Sequence, residues 1–168
     1  MTVRIDSDVV EDVVVDTWNT YLGVGIEPHR NEPQSGDNQT SEGALEARIR
    51  ISGNSEWQVT LRGSGESAEE AARRMLASGQ RFPDDAGDSA GVAAPATWTG
   101  DAWAELVNTL AGNLKAALDL SAHRLSMPAV FNDVPTQTAL PSTDDGADFS
   151  FDWDGYQATV RIARVTPT

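Results

Sequence analysis

Residues 101–120 read DAWAELVNTLAGNLKAALDL. Trp103, Leu106, Val107, Leu110, Leu114, Ala117 and Leu118 recur three and four residues apart, which predicts an amphipathic helix over Asp101 to Leu120 with one buried stripe. The opposite face carries Asp101, Glu105, Asn108, Gly112, Lys115 and Asp119. Glu105 and Asn108 stand one turn apart, so a carboxylate and a carboxamide project from the same side and can engage one small target. From spacing alone, a solvated helix face explains this pair more simply than a site does.

Upstream, Val10, Val13, Val14, Trp18, Tyr21 and Leu22 predict a first helix over residues 8–22, stopped at Gly23. A polar stretch from Pro28 to Gly43 follows. Leu45, Ala47, Ile49 and Ile51 then alternate, as do Trp57, Val59 and Leu61 after a turn near Gly53 and Asn54, which reads as an antiparallel hairpin. Ser67 with Glu70 three residues later forms a capping-box pattern and predicts a helix over 68–78. Gln80 to Gly100, rich in Gly, Ala, Asp and Pro, reads as a long flexible connection, either a lid or a linker.

Downstream, Pro128 interrupts the strand-like stretch from His123 to Phe131 and confines it to an edge, an end or a bulge. Phe149, Phe151 and Trp153 alternate up to an Asp154-Gly155 turn, and Tyr156, Ala158, Val160 and Ile162 alternate after it, which predicts a closing hairpin. Because the strands come in hairpins rather than strand-helix-strand crossovers, the expected class is α+β. The architecture is a two-layer domain spanning 1–168, with helices against one mainly antiparallel sheet.

Composition narrows the chemistry. The chain of 168 residues contains no cysteine, so thiolate metal sites, disulfides and cysteine nucleophiles are excluded together. A net charge of −14 with no basic patch argues against nucleic acid and anionic membranes as partners. No apolar run is long enough to span a bilayer and the first residues lack the pattern of a signal peptide, so the expected compartment is the cytoplasm. The two histidines, His29 and His123, lie far apart and suit surface or structural roles. Asp144, Asp145, Asp148, Asp152 and Asp154 lack the spacing of a calcium loop and read as turn and outward strand residues.

The two long helical segments echo each other. Asp12, Asp16, Asn19, Thr20 and Gly23 repeat the spacing of Asp101, Glu105, Asn108, Thr109 and Gly112. Each segment precedes a pair of strands, so a duplicated helix-strand-strand unit would account for the echo, as would chance agreement of short strings.

The segment from Asp101 to Lys115, with Ser126-Met127-Pro128 after it, resembles the signature of the CheC/CheX/FliY chemotaxis phosphatases: an Asp or Ser, then Glu, then Asn, and a downstream Pro. Pro128 lies a few residues nearer Asn108 than in typical members. The order of the other elements agrees with the family, in which CheX types carry one Glu/Asn pair and CheC types carry two. The resemblance implies hydrolysis of the aspartyl phosphate on a response-regulator receiver domain of the CheY kind, with Glu105 and Asn108 as the catalytic pair. It implies no cofactor held by this chain, because the receiver brings its own Mg²⁺.

In that scheme Asn108 orients the attacking water and Glu105 reaches the regulator's lysine. Asp16 and Asn19 would be a degenerate second site, since Asp is one methylene shorter than Glu and loses roughly 1.5 Å of reach where alignment matters to about 0.5 Å. Two other readings use the same helix face: a noncatalytic module that docks a receiver domain, and a flagellar or signalling interaction protein. The closing strands offer an edge for a homodimer, which the acidic surface opposes.

Overall fold

The computed structural model describes residues 5–28, 44–79, 96–134 and 145–165. Three helices, α1 (Ser7–Leu22), α2 (Gly65–Ala77) and α3 (Ala96–Ala117), cover one face of a seven-stranded sheet. The strands are β1 (Glu27–Pro28), β2 (Ala44–Ser52), β3 (Glu56–Ser64), β4 (Arg124–Leu125), β5 (Ala129–Phe131), β6 (Gly146–Trp153) and β7 (Tyr156–Arg164). Their order is β1-β6-β7-β3-β2-β4, with β5 also on β2, and every pairing is antiparallel. The fold is therefore the expected α+β arrangement of helices on a mainly antiparallel sheet.

Alternation decides which side of the sheet is dry. Leu45, Ala47, Ile49 and Ile51 of β2, Trp57, Val59 and Leu61 of β3, Phe149, Phe151 and Trp153 of β6, and Ala158, Val160 and Ile162 of β7 are all buried in one core. Trp18 of α1 meets Phe151 edge to face at 4.9 Å, a favoured geometry for aromatic quadrupoles. The residues between them form the other face, where charges pair: across strands, Arg62 donates to fully buried Glu46 at 2.7 Å and Arg161 lies 3.0 Å from Asp148, and within β2 Arg48 pairs with the same Glu46 carboxylate.

The echo in the sequence has a counterpart in the topology. The two hairpins, β2-β3 and β6-β7, meet through β3 and β7 at the sheet's centre, with Leu61 opposite Val160 and Val59 opposite Ile162. The strand that follows each helix crosses to the other hairpin: β1 after α1 pairs with β6, and β4 and β5 after α3 pair with β2. Each half thus completes the sheet of the other, and among the described residues α2 has no counterpart.

Three boundaries differ from expectation. α2 starts one turn earlier because Ser64, the last residue of β3, is its cap and accepts from the Ser67 amide at 3.0 Å. Ser67 is buried in the first turn and Glu70 pairs with Arg73 and Arg74 instead of closing a capping box. α3 begins at Ala96, so the last five residues of the expected 80–100 connection are helical, while 80–95 lie outside the described residues. α3 ends at Ala117 because Asp119 turns left-handed (φ 54°), the Leu120 amide reaches back to the Lys115 carbonyl at 2.8 Å, and Leu120 enters the core.

β7 is paired on both sides, so of the closing strands only β6 has an open edge: β1 covers it at Asp152 and Phe151, and Gly146–Ser150 have no other strand beside them among the described residues. No described helix is long and apolar enough to cross a membrane.

α3 is fixed to the sheet at Gly63. Trp103 is fully buried, its indole N–H donates to the Leu61 carbonyl at 3.3 Å, and a Cβ on Gly63 would stand 2.8 Å from the indole ring and 2.6 Å from Ser67 Oγ. Gly63→Ala is expected to destabilise the protein by about 1–3 kcal/mol through overpacking, read as a lower urea midpoint with an unchanged slope.

Candidate functional site

The candidate face is the solvent side of α3. Ala102, Trp103, Leu106, Val107, Leu110, Ala111 and Leu114 bury the other side completely, which fixes the helix's rotation about its own axis. Glu105 is left exposed and Asn108 half-buried, in line with half-buried Asp101, Gly112 and Lys115. The expected stripe fails only at its end, where Ala117 is exposed and Leu118 half-buried because the helix is already closing.

Among the described residues, neither Glu105 nor Asn108 has a hydrogen bond or an ion pair to another side chain. That matters in a chain where other acidic groups are engaged: Asp145 faces Arg164, Asp148 faces Arg161, and Asp154 pairs with Arg74 across to α2. The carboxylate of Glu105 and the amide of Asn108 keep their full donor and acceptor capacity for something outside the fold.

α1 lies beside α3, joined to it by a bond from Asn113 Nδ2 to Thr17 Oγ1 of 3.3 Å. Neither residue stood out in the sequence. A polar atom on each of two otherwise apolar seams gives a signal only once the helices are known to touch. Asp16 and Asn19 are both exposed on α1. Among the described residues no hydrogen bond or ion pair joins them to Glu105 or Asn108, so the two pairs occupy separate positions on adjoining helices.

The echo breaks at its glycine. Gly23 caps α1 in the left-handed region (φ 66°) and donates to the Asn19 carbonyl at 3.1 Å, so Asn19 belongs to the last turn. Gly112 lies inside α3, which runs on to Ala117, so Asn108 sits well within a continuous helix. Terminal turns fray, so a side chain in mid-helix is held more firmly than one in the last turn.

His123 is structural, packed over Gly53, where a Cβ would lie 2.3 Å from its ring, with Nε2 3.4 Å from Ser55 Oγ. His29 and Asp144 lie outside the described residues. No three His, Asp or Glu gather as metal ligands among the described residues.

No sequence family and no curated protein matches this chain. Solved structures do. CheX from Desulfovibrio desulfuricans superposes with a TM-score of 0.65 at 15% identity, covering 95% of this chain and 98% of that one. A CheC-like superfamily protein from Shewanella sp. PV-4 gives 0.66 at 16% identity over 96% and 100% of the two chains. The fold is that of CheX and CheC. A third CheX-like match, to the CheX–CheY–BeF3–Mg complex from Borrelia burgdorferi, gives 0.61 at 16% identity over 97% and 100%. At these identities the likeness describes the CheX-like backbone, and the side chains of α3 must argue for themselves.

Since Glu105 and Asn108 make no side-chain hydrogen bond or ion pair among the described residues, Glu105→Ala and Asn108→Ala are each expected to change unfolding free energy by no more than about 0.5 kcal/mol. Chemical denaturation of the two variants beside the parent checks this.

Proposed function

We propose that the protein hydrolyses the aspartyl phosphate of a response-regulator receiver domain in chemotaxis or a related signalling pathway. The observation that carries the reading is the unpartnered Glu105/Asn108 pair on the rigid outer face of α3, in a CheX-like fold. The solved complex of a similar CheX with CheY supports a receiver domain as the partner.

In this reaction a water oxygen bonds to phosphorus while the bond from phosphorus to the receiver's aspartyl oxygen breaks, giving inorganic phosphate and the free carboxylate. Transfer through a loose transition state needs alignment and charge stabilisation more than a strong base. Asn108 can accept from the water and donate at the same time, holding the water in line with the phosphorus. Glu105 anchors the receiver by pairing with its lysine, a contact that gains strength as the interface closes over it.

The receiver supplies both the phosphoryl group and Mg²⁺, so this chain contributes neither nucleophile nor metal. Asp16 and Asn19 form a lapsed copy of the site: the carboxylate is shorter and the amide sits in a terminal turn. The reaction would take place in the cytoplasm, where receiver domains work.

Phosphorylated receiver domains from the same genome, mixed with the protein, should release phosphate faster than alone. Asn108→Ala should lower the rate about a hundredfold while receiver binding persists, the cost expected when a reacting water is misplaced. Glu105→Ala should weaken binding, and Asn19→Ala should change neither. A parent protein that binds receivers but releases phosphate no faster than Asn108→Ala would be a docking module instead.

A further inference from the structure

α3 contains a glycine for which the described residues show no use in the fold. Glycine is a poor helix former and is kept in a helix when a cap, a tight contact or a bend requires it. Gly23 has such a reason in its left-handed cap, and Gly63 and Gly53 have theirs in the rings of Trp103 and His123. Gly100, near the start of α3, faces Val130 at ordinary contact distance.

Gly112 has none of these reasons. It is not among the positive-φ residues, α3 continues past it to Ala117, and a Cβ built on it would meet nothing within 4 Å. Its neighbours are engaged elsewhere: Ala111 is buried, and Asn113, though exposed, donates to Thr17 of α1. Gly112 itself lies one turn beyond Asn108 and two beyond Glu105, on the same open line of the helix.

We infer that Gly112 is a docking notch: the receiver domain that engages Glu105 and Asn108 lays its own backbone against the α3 backbone at Gly112. This rests on the receiver-docking reading above and extends its footprint toward the C-terminal end of the helix. The missing side chain lets a loop beside the phosphorylation site come close enough for Asn108 to reach the water in line. Any side chain at 112 would hold that loop off by the thickness of the added atoms, and alignment would fail before binding disappeared.

The test uses the full chain with phosphorylated receivers and measures thermal unfolding, receiver affinity and phosphate release in Gly112→Ala, Gly112→Gln and the control Ala117→Gln, an exposed position off the line. Gly112→Ala should raise Tm by about 2–4 °C, as expected for relieving a helical glycine, while release slows about fivefold. Gly112→Gln should slow release about a hundredfold and weaken binding, and Ala117→Gln should match the parent.

A lower Tm in Gly112→Ala would show that the glycine serves the fold and would overturn the inference. So would unchanged release and affinity in Gly112→Gln, or equal losses in Ala117→Gln; in both cases an active parent would leave the phosphatase reading standing. A parent that binds no receiver would bring down that reading and the notch together.

Discussion

The antiparallel pairing of β3 with β7 is the constraint on which the rest depends. It joins two hairpins that lie far apart in sequence, aligning Val59 and Leu61 with Ile162 and Val160 so that both inner faces become one apolar surface. A slip of one residue would turn every inward side chain outward and bring charged residues to the helices. Two hairpins could each form locally, but neither alone could bury its face.

Once that surface exists, the helices have one way to lie on it. Trp103 enters over Gly63 and Trp18 over Phe151, and the large indole surfaces set both the height and the rotation of α3 and α1. The short strands after each helix then add to the far hairpin. That rotation sets the outer face: with Trp103, Leu106 and Leu110 fully buried, exposed Glu105 and half-buried Asn108 lie on the side of α3 away from the core. A site on such a helix is held by the core beneath it, without a network of its own.

The charge of the chain has a similar division. Of its many carboxylates, Glu46, Asp148 and Asp154 are matched with arginines of other elements, and Glu70 with Arg73 and Arg74 of its own helix. The line through Asp101, Glu105 and Asn108 is left without such partners among the described residues. An unneutralised carboxylate beside a free amide is a poor stabiliser of its own fold and a good contact for a cationic group on another protein.

The sequence by itself determined the elements. Period-two alternation marked both hairpins to their turns, helical periodicity marked α1 and the body of α3, and the same periodicity put Glu105 and Asn108 on the outer side of α3, because those signals are local and each residue declares its own side. Only the tertiary structure decided what is joined to what. The crossing of β1 to β6 and of β4 and β5 to β2, the cap at Ser64, the notch at Gly63 filled by Trp103, and the bond between Thr17 and Asn113 all depend on residues far apart in the chain. The same is true of Gly112 and Gly23, which occupy equal places in the echo: one ends a helix and the other lies open on its surface, and no local pattern separates them, since the difference lies in where the helix stops and in what surrounds it.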